Sequence, residues 1–307
     1  MKILKQLLLG LICFTALAFN ATAQQDSTGM PGDNFSLQGA LEMFKQAGAP
    51  EEFEKLINTE NKNVNNLDLN GDGEIDYIKV IDNADKDVHA FVLQVAVSET
   101  ENQDIAVIEL EKTGDTTAVL QIIGDEDIFG EQIIVEASDE GDEIEDGNGQ
   151  SNGPSAYFDE GTRIVVNVFF WPSVRYVYRP VYRPWVSPWR WHHYPNYWRP
   201  WRPYAWHVFH PRRIHYYNHC AIVRTHRVVA AHRVYAPHRV TSVTVRTRTT
   251  VARNNYKVTR TQKRTIVTGP RGNKVVRKRQ NVNVQRQSAN AEAAEDRKEK
   301  RKGRRRG

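Results

Sequence analysis

Cysteine is almost missing from this chain of 307 residues, which has only Cys13 and Cys220. Cys13 lies in an apolar N-terminal run that reads as removable, so no intramolecular disulfide is left to brace the remainder. Stability must come from a packed core or a bound metal. There is no nucleophile elbow, phosphate loop or zinc-protease helix, so no reaction class announces itself. Each half also lacks one sign of charge. Residues 24–162 hold 33 Asp/Glu against 6 Lys/Arg, and residues 163–307 hold 34 Lys/Arg against 4 Asp/Glu. The net +5 therefore hides blocks of −27 and +30. An acidic block suits cations, a basic block suits polyanions or anionic surfaces, and the two can bind each other within one molecule.

The N-terminus reads as a signal peptide over residues 1–23. Lys2 and Lys5 supply the basic region, Leu7 to Phe19 the apolar run, and Ala21-Thr22-Ala23 a small-residue cleavage site. A permanent anchor needs ~20 apolar residues, more than this run has, and no later stretch qualifies. Cys13 sits inside the apolar run, not after a small residue at its end, which argues against a lipoprotein. Export to the periplasm, cell surface or medium is the expectation. The mean hydropathy of −0.61 implies one ordinary domain plus a large polar remainder.

Residues 24–137 have the pattern of an acidic α+β domain. Leu37, Ala40, Leu41 and Phe44 recur at helical spacing, Gly48 can end that helix, and Pro50 can open a second carrying Phe53, Leu56 and Ile57. Strand-like runs follow at 75–81, 88–97, 105–112 and 117–123. Their connections are too short for parallel crossovers, which predicts an antiparallel meander with helices on one face. Phe91, Leu93, Val95 and Val97 read as the core-facing set of one strand.

One motif in this half carries chemistry. Asp68, Asn70, Asp72 and Asp76 stand at positions 1, 3, 5 and 9 of a loop, with the backbone carbonyl of Glu74 at position 7 and Gly73 at position 6. That many oxygens at odd spacing suit calcium better than magnesium, which keeps more of its water. The loop resembles the first nine positions of an EF-hand, but Lys79 stands where the bidentate Glu should be and the residues after Asp76 read as strand. It is therefore more similar to the calcium loops that join two β-strands in FG-GAP-type repeats. The competing reading is a metal-free Asp/Asn/Gly turn held by its own hydrogen bonds.

Residues 138–162 read as an acidic, glycine-rich linker. Arg163 to Trp171 then reads as one more buried strand. From 163 to 237 the chain is rich in aromatics, Pro, Arg and His. All seven tryptophans and eight of the thirteen prolines fall between Trp171 and Pro211. Proline at this density favours an extended path, and Trp or Tyr interleaved with Arg can stack on sugars, sit at a bilayer edge or pack back on its own domain. His215, His219 and Cys220 have spacing that could hold a soft metal, with His226 or His232 near enough to add a ligand. Residues 238–287 alternate Val or Thr with Arg and read as basic strands, including a hairpin around Gly269-Pro270-Arg271-Gly272. Residues 288–307 form a basic tail of disordered composition.

Ser36 to Leu41, Asn65 to Gly73 and Gln103 to Glu109 together resemble a group of exported bacterial proteins with an acidic N-terminal domain and an aromatic, basic C-terminal half. The resemblance implies export and the calcium-type loop, and no activity. The expected function is that of a non-catalytic envelope protein: a calcium-braced α+β domain presenting a cationic aromatic arm to anionic envelope polymers or lipid head groups. Export argues against chromosomal DNA as a partner. The alternative is an exported enzyme or enzyme inhibitor with its site in the acidic domain and the basic half as a tether.

Overall fold

The computed structural model describes residues 27–138 and 165–263, with two further short strands at 266–268 and 274–276. The expected signal peptide, most of the linker and the basic tail lie outside the described residues. Helix α1 spans Leu37–Gln46, and its Ser36 cap accepts a hydrogen bond from the Gly39 N–H at 3.0 Å. Helix α2, Pro50–Ile57, opens on a proline at its first position with Glu51 and Glu52 in its first turn, where acids suit the helix dipole. Both present a buried stripe, Leu41 and Phe44 from α1 and Phe53 and Ile57 from α2. The Phe44 ring meets those of Phe53 and Phe91 at 5.2 and 5.1 Å between centroids.

Strands β1 (Ile78–Asp85), β2 (Val88–Ala96), β3 (Asn102–Gly114) and β4 (Thr117–Gly124) form the expected antiparallel meander. A short helix α3 (Glu126–Phe129) leads into β5 (Ile133–Ala137). The architecture is α+β, a sheet of six strands in the order β1 to β5 and then β6 (Cys220–Val223). Its last strand comes from the basic half.

Beyond residue 165 the chain differs from the strand expected at 163–171. Residues 165–168 are irregular, Val168 and Trp171 drop into the core, and helix α4 begins at once over Pro172–Val177. The following aromatic segment covers the edge of the sheet. Asp82 N–H donates to the Trp185 carbonyl at 2.7 Å and Ser187 N–H to that of Val80 at 3.0 Å, so β1 does not present a bare edge there. Helix α5 (Trp206–Arg213) and a 3-10 segment over Ile214–His219 lead into β6, Cys220–Val223, which pairs antiparallel with β5.

Helix α6 (Val229–Tyr235) then lies across the sheet face opposite α1 and α2. Ala90, Val92, Val107, Ile123, Ile134, Ala221, Val223 and Tyr235 form a second, smaller core there. Helices therefore cover both faces, not one. This is why β2 is buried along most of its length instead of at every second residue.

Residues 243–263 are helical where alternation predicted strands: α7 spans Val243–Arg248 and α8 Thr250–Lys263. Ser242 caps α7 by accepting the Val245 N–H at 3.2 Å, and Val245 is buried. The described residues up to Tyr256 form one compact unit, and those from Lys257 belong to a second. In the second, β7 (Ile266–Thr268) and β8 (Lys274–Val276) make the predicted hairpin.

Candidate functional site

The loop at 68–76 is followed by β1 from Ile78 and preceded by a 3-10 turn at Glu60–Lys62, with no strand on that side. Its oxygens turn inward. Asp68 accepts the N–H groups of Gly71 and Gly73 at 2.5 and 3.0 Å, Asn70 accepts that of Asp72 at 2.9 Å, and Asp72 accepts that of Glu74 at 2.8 Å. Gly71 and Gly73 have φ of 72° and 85°, the left-handed region that makes glycine the natural residue at both. Asp76 is buried and accepts the Leu69 N–H at 2.5 Å. Burial, and then the nearby charges of Asp68 and Asp72, push its carboxyl up to about 7.

A residue of the basic half sits on this loop. The guanidinium of Arg248 packs against Gly71 so closely that a Cβ there would fall 1.5 Å from it. It also donates to the Leu69 carbonyl at 3.4 Å. The carboxylates of Asp68, Asp72 and Asp76 do not form a converged set of ligand atoms. Among the described residues, the His, Cys, Asp or Glu side chains that do converge, within 4.8 Å of one another, are Glu109, His226 and His232.

His215, His219 and Cys220 are not brought together as a cluster of that kind. His215 is exposed and its ring lies tilted against that of Tyr216, with centroids 4.0 Å apart, while Cys220 opens β6. Sequence reasoning missed Glu109 because the acid that meets the histidines comes from the other half of the chain. No local signal marked it: Glu109 stands between Ile108 and Leu110, the place a solvent-facing residue takes in an alternating strand.

Buried acids of α2 and the sheet draw some of their partners from their own half and some from the basic half. Glu54 of α2 accepts Tyr77 Oη, Val80 N, Trp185 Nε1 and Ser187 Oγ at 2.9 to 3.1 Å. Asp104 accepts Gln94 Nε2, Val240 N and Tyr235 Oη at 2.8, 2.8 and 3.2 Å, yet burial still pushes it up to about 6. Asp82 bonds His89 Nδ1 at 2.9 Å and accepts Tyr182 Oη at 2.7 Å.

In the aromatic segment the two residue types mostly face opposite ways, the exception being Arg213, which is buried and donates to the Phe35 carbonyl at 2.8 Å. Arg175, Arg179, Arg183, Arg190, Arg199, Arg202 and Arg212 are all exposed, whereas each of the seven tryptophans is buried or half-buried. None of these arginines is ion-paired with an acid among the described residues. No protein-family model, curated protein or solved structure matches the chain.

Proposed function

We propose that this is a non-catalytic, exported, envelope-associated protein whose arginine-studded face binds anionic envelope polymers or lipid head groups, with calcium bracing the 68–76 loop. The observation that carries the reading is the sorting of the aromatic segment. Tryptophan rings pack inward while seven guanidiniums face solvent without acidic partners among the described residues. Guanidinium forks match phosphate and carboxylate geometry, and each basic group near an anionic surface contributes about 1 kcal/mol. The inward rings fix the spacing of these cations at little entropic cost to binding. The loop supports the calcium part through its oxygen spacing, its two left-handed glycines and a buried carboxyl that a cation would hold ionised.

The test is co-sedimentation of the full chain with vesicles of phosphatidylcholine alone or mixed with phosphatidylglycerol, and retention on heparin. Binding to the anionic vesicles and to heparin, weakening as salt rises, is expected. The combined variant Arg183→Gln, Arg190→Gln, Arg199→Gln, Arg202→Gln should bind at least about tenfold more weakly. Equal binding to neutral and anionic vesicles with no heparin retention would overturn the reading.

A further inference from the structure

On the sheet face covered by α6, strand β3 carries a carboxylate in the middle of an apolar patch. Glu109 lies opposite Ala90 on β2 and Gln121 on β4, one strand repeat from Val107. Its side chain is fully buried, and no lysine or arginine among the described residues pairs with it. Its partners are two imidazoles: His226 Nε2 stands 2.5 Å from one carboxylate oxygen and His232 Nδ1 2.8 Å from the other. The two rings lie 4.7 Å apart.

We propose that Glu109, His226 and His232 bind a divalent transition ion of the zinc type, with the fourth position open to water. One carboxylate and two neutral imidazoles are a ligand set that suits such an ion and suits calcium poorly. A tetrahedral ion about 2.0–2.1 Å from each ligand atom holds those atoms roughly 3.3 Å apart. The three ligand atoms already lie within 4.8 Å of one another, so shifts of about 1–1.5 Å in their separations bring them to that spacing. The metal would take the place of the protons now shared between the carboxylate and the rings. Burial favours the uncharged form of each: it pushes Glu109 up to about 9 and both histidines below their ordinary value. A dication removes that conflict by compensating the carboxylate where it lies.

The surroundings hold the ligands in place without competing for them. Gln121 accepts the Arg227 N–H at 2.8 Å and donates to the Thr225 carbonyl at 2.8 Å, fixing the chain on both sides of His226. Glu136 anchors the Arg227 side chain at 3.0 Å. Glu111 accepts the Ala230 and Ala231 N–H groups at 2.5 and 3.0 Å, which seats the turn just before His232. Side-chain exposures of 22% for His226 and 36% for His232 leave a route for the ion and a place for its water. The site joins a strand of the acidic half to a loop and helix of the basic half, and it does not rest on the surface-binding reading above.

The test uses the full chain stripped with chelator, titrated with zinc by calorimetry and with cobalt(II) as an optical probe. One zinc per chain and the intense visible bands of four-coordinate cobalt are expected. His226→Gln and His232→Gln, which keep a hydrogen-bonding group at each position, should each weaken zinc binding at least tenfold, and so should Glu109→Gln. The triple variant His215→Gln, His219→Gln, Cys220→Ser and the loop variant Asp72→Ala should bind zinc as the native chain does. Absence of zinc binding by the native chain overturns the proposal without any variant needing to fold. Undiminished binding by folded His226→Gln and His232→Gln chains, judged by circular dichroism, also overturns it.

Discussion

Arg239 grips Asp125 with two nitrogens of one guanidinium, Nε to Oδ2 at 2.7 Å and Nη2 to Oδ1 at 3.1 Å. Asp125 caps α3 in the acidic half, and the same guanidinium reaches Asp127 at 3.3 Å. Arg253 closes on Asp127 from the other side at 3.0 Å. The opposed charge blocks of the sequence thus meet inside one compact unit. Burial raises the Asp125 carboxyl and the Arg239 contact pulls it back down.

Removing that clamp should be costly. Arg239→Ala leaves the buried carboxylate of Asp125 without its cation, while Asp127 keeps Arg253, and breaking a buried pair costs about 3–5 kcal/mol. The guanidinium is 32% exposed, so about 2–3 kcal/mol is the expected loss. Urea denaturation of the two full-length chains measures it, and a loss under 0.5 kcal/mol would show that the pair carries no net stability.

Stability should fall as pH rises through neutrality, with Asp76 a measurable part of the slope. Its folded value near 7 lies above the ordinary 3.8, so the folded state holds the proton more tightly than the unfolded chain. That contribution is whole below pH 3.8 and is lost as pH rises through 7. Between pH 5 and 8 in chelator, the native chain should lose about 2–3 kcal/mol more than Asp76→Asn, which does not titrate. Parallel stability profiles would contradict this.

Calcium should raise the melting temperature of the full chain. At about ten times Kd, ligand binding adds roughly 1.4 kcal/mol, equivalent to a few degrees. Asp72→Ala deletes a central oxygen and should abolish the difference between calcium and chelator. Identical melts of the native chain in the two conditions would remove calcium from the account.

The fragment 24–162 should not fold as an independent domain. It lacks β6 and α6, which uncovers Val92, Val107, Ile123 and Ile134, and it leaves Glu54, Asp104 and Glu109 without their partners from the basic half. Burying those acids unpaired is unfavourable. Strong binding of a hydrophobic dye and a broad, non-cooperative melt are expected, and a sharp native-like transition would refute the dependence.

Local order was legible in the sequence; long-range order was not. The α1 and α2 stripes and the first four strands follow from short-range periodicity and short connections, which need only near neighbours. β5 escaped notice because Ile133, Ile134 and Val135 are few and run into the acidic linker. Val243 to Arg248 alternates like a strand, but the Ser242 cap and the burial of Val245 make it a helix. The loop at 68–76 was readable because its residues are consecutive. Glu109 with His226 and His232 was not, because 117 positions separate the acid from the first histidine and only the fold brings them together.

The position of β6 also sets an order of events in time. Ile134 pairs with Val223, 89 positions further along the chain. Closing a loop of that size costs about 4 kcal/mol in chain entropy before any contact offsets it. The hairpins from β1 to β4 need no such closure, so they can form first, while Glu109, Glu111 and Gln121 stay hydrated on an uncovered face. Contacts this distant slow folding. Whatever the route of synthesis, the sheet cannot be sealed until residue 223 is available, so the acids of that face wait in water for the second half of the chain.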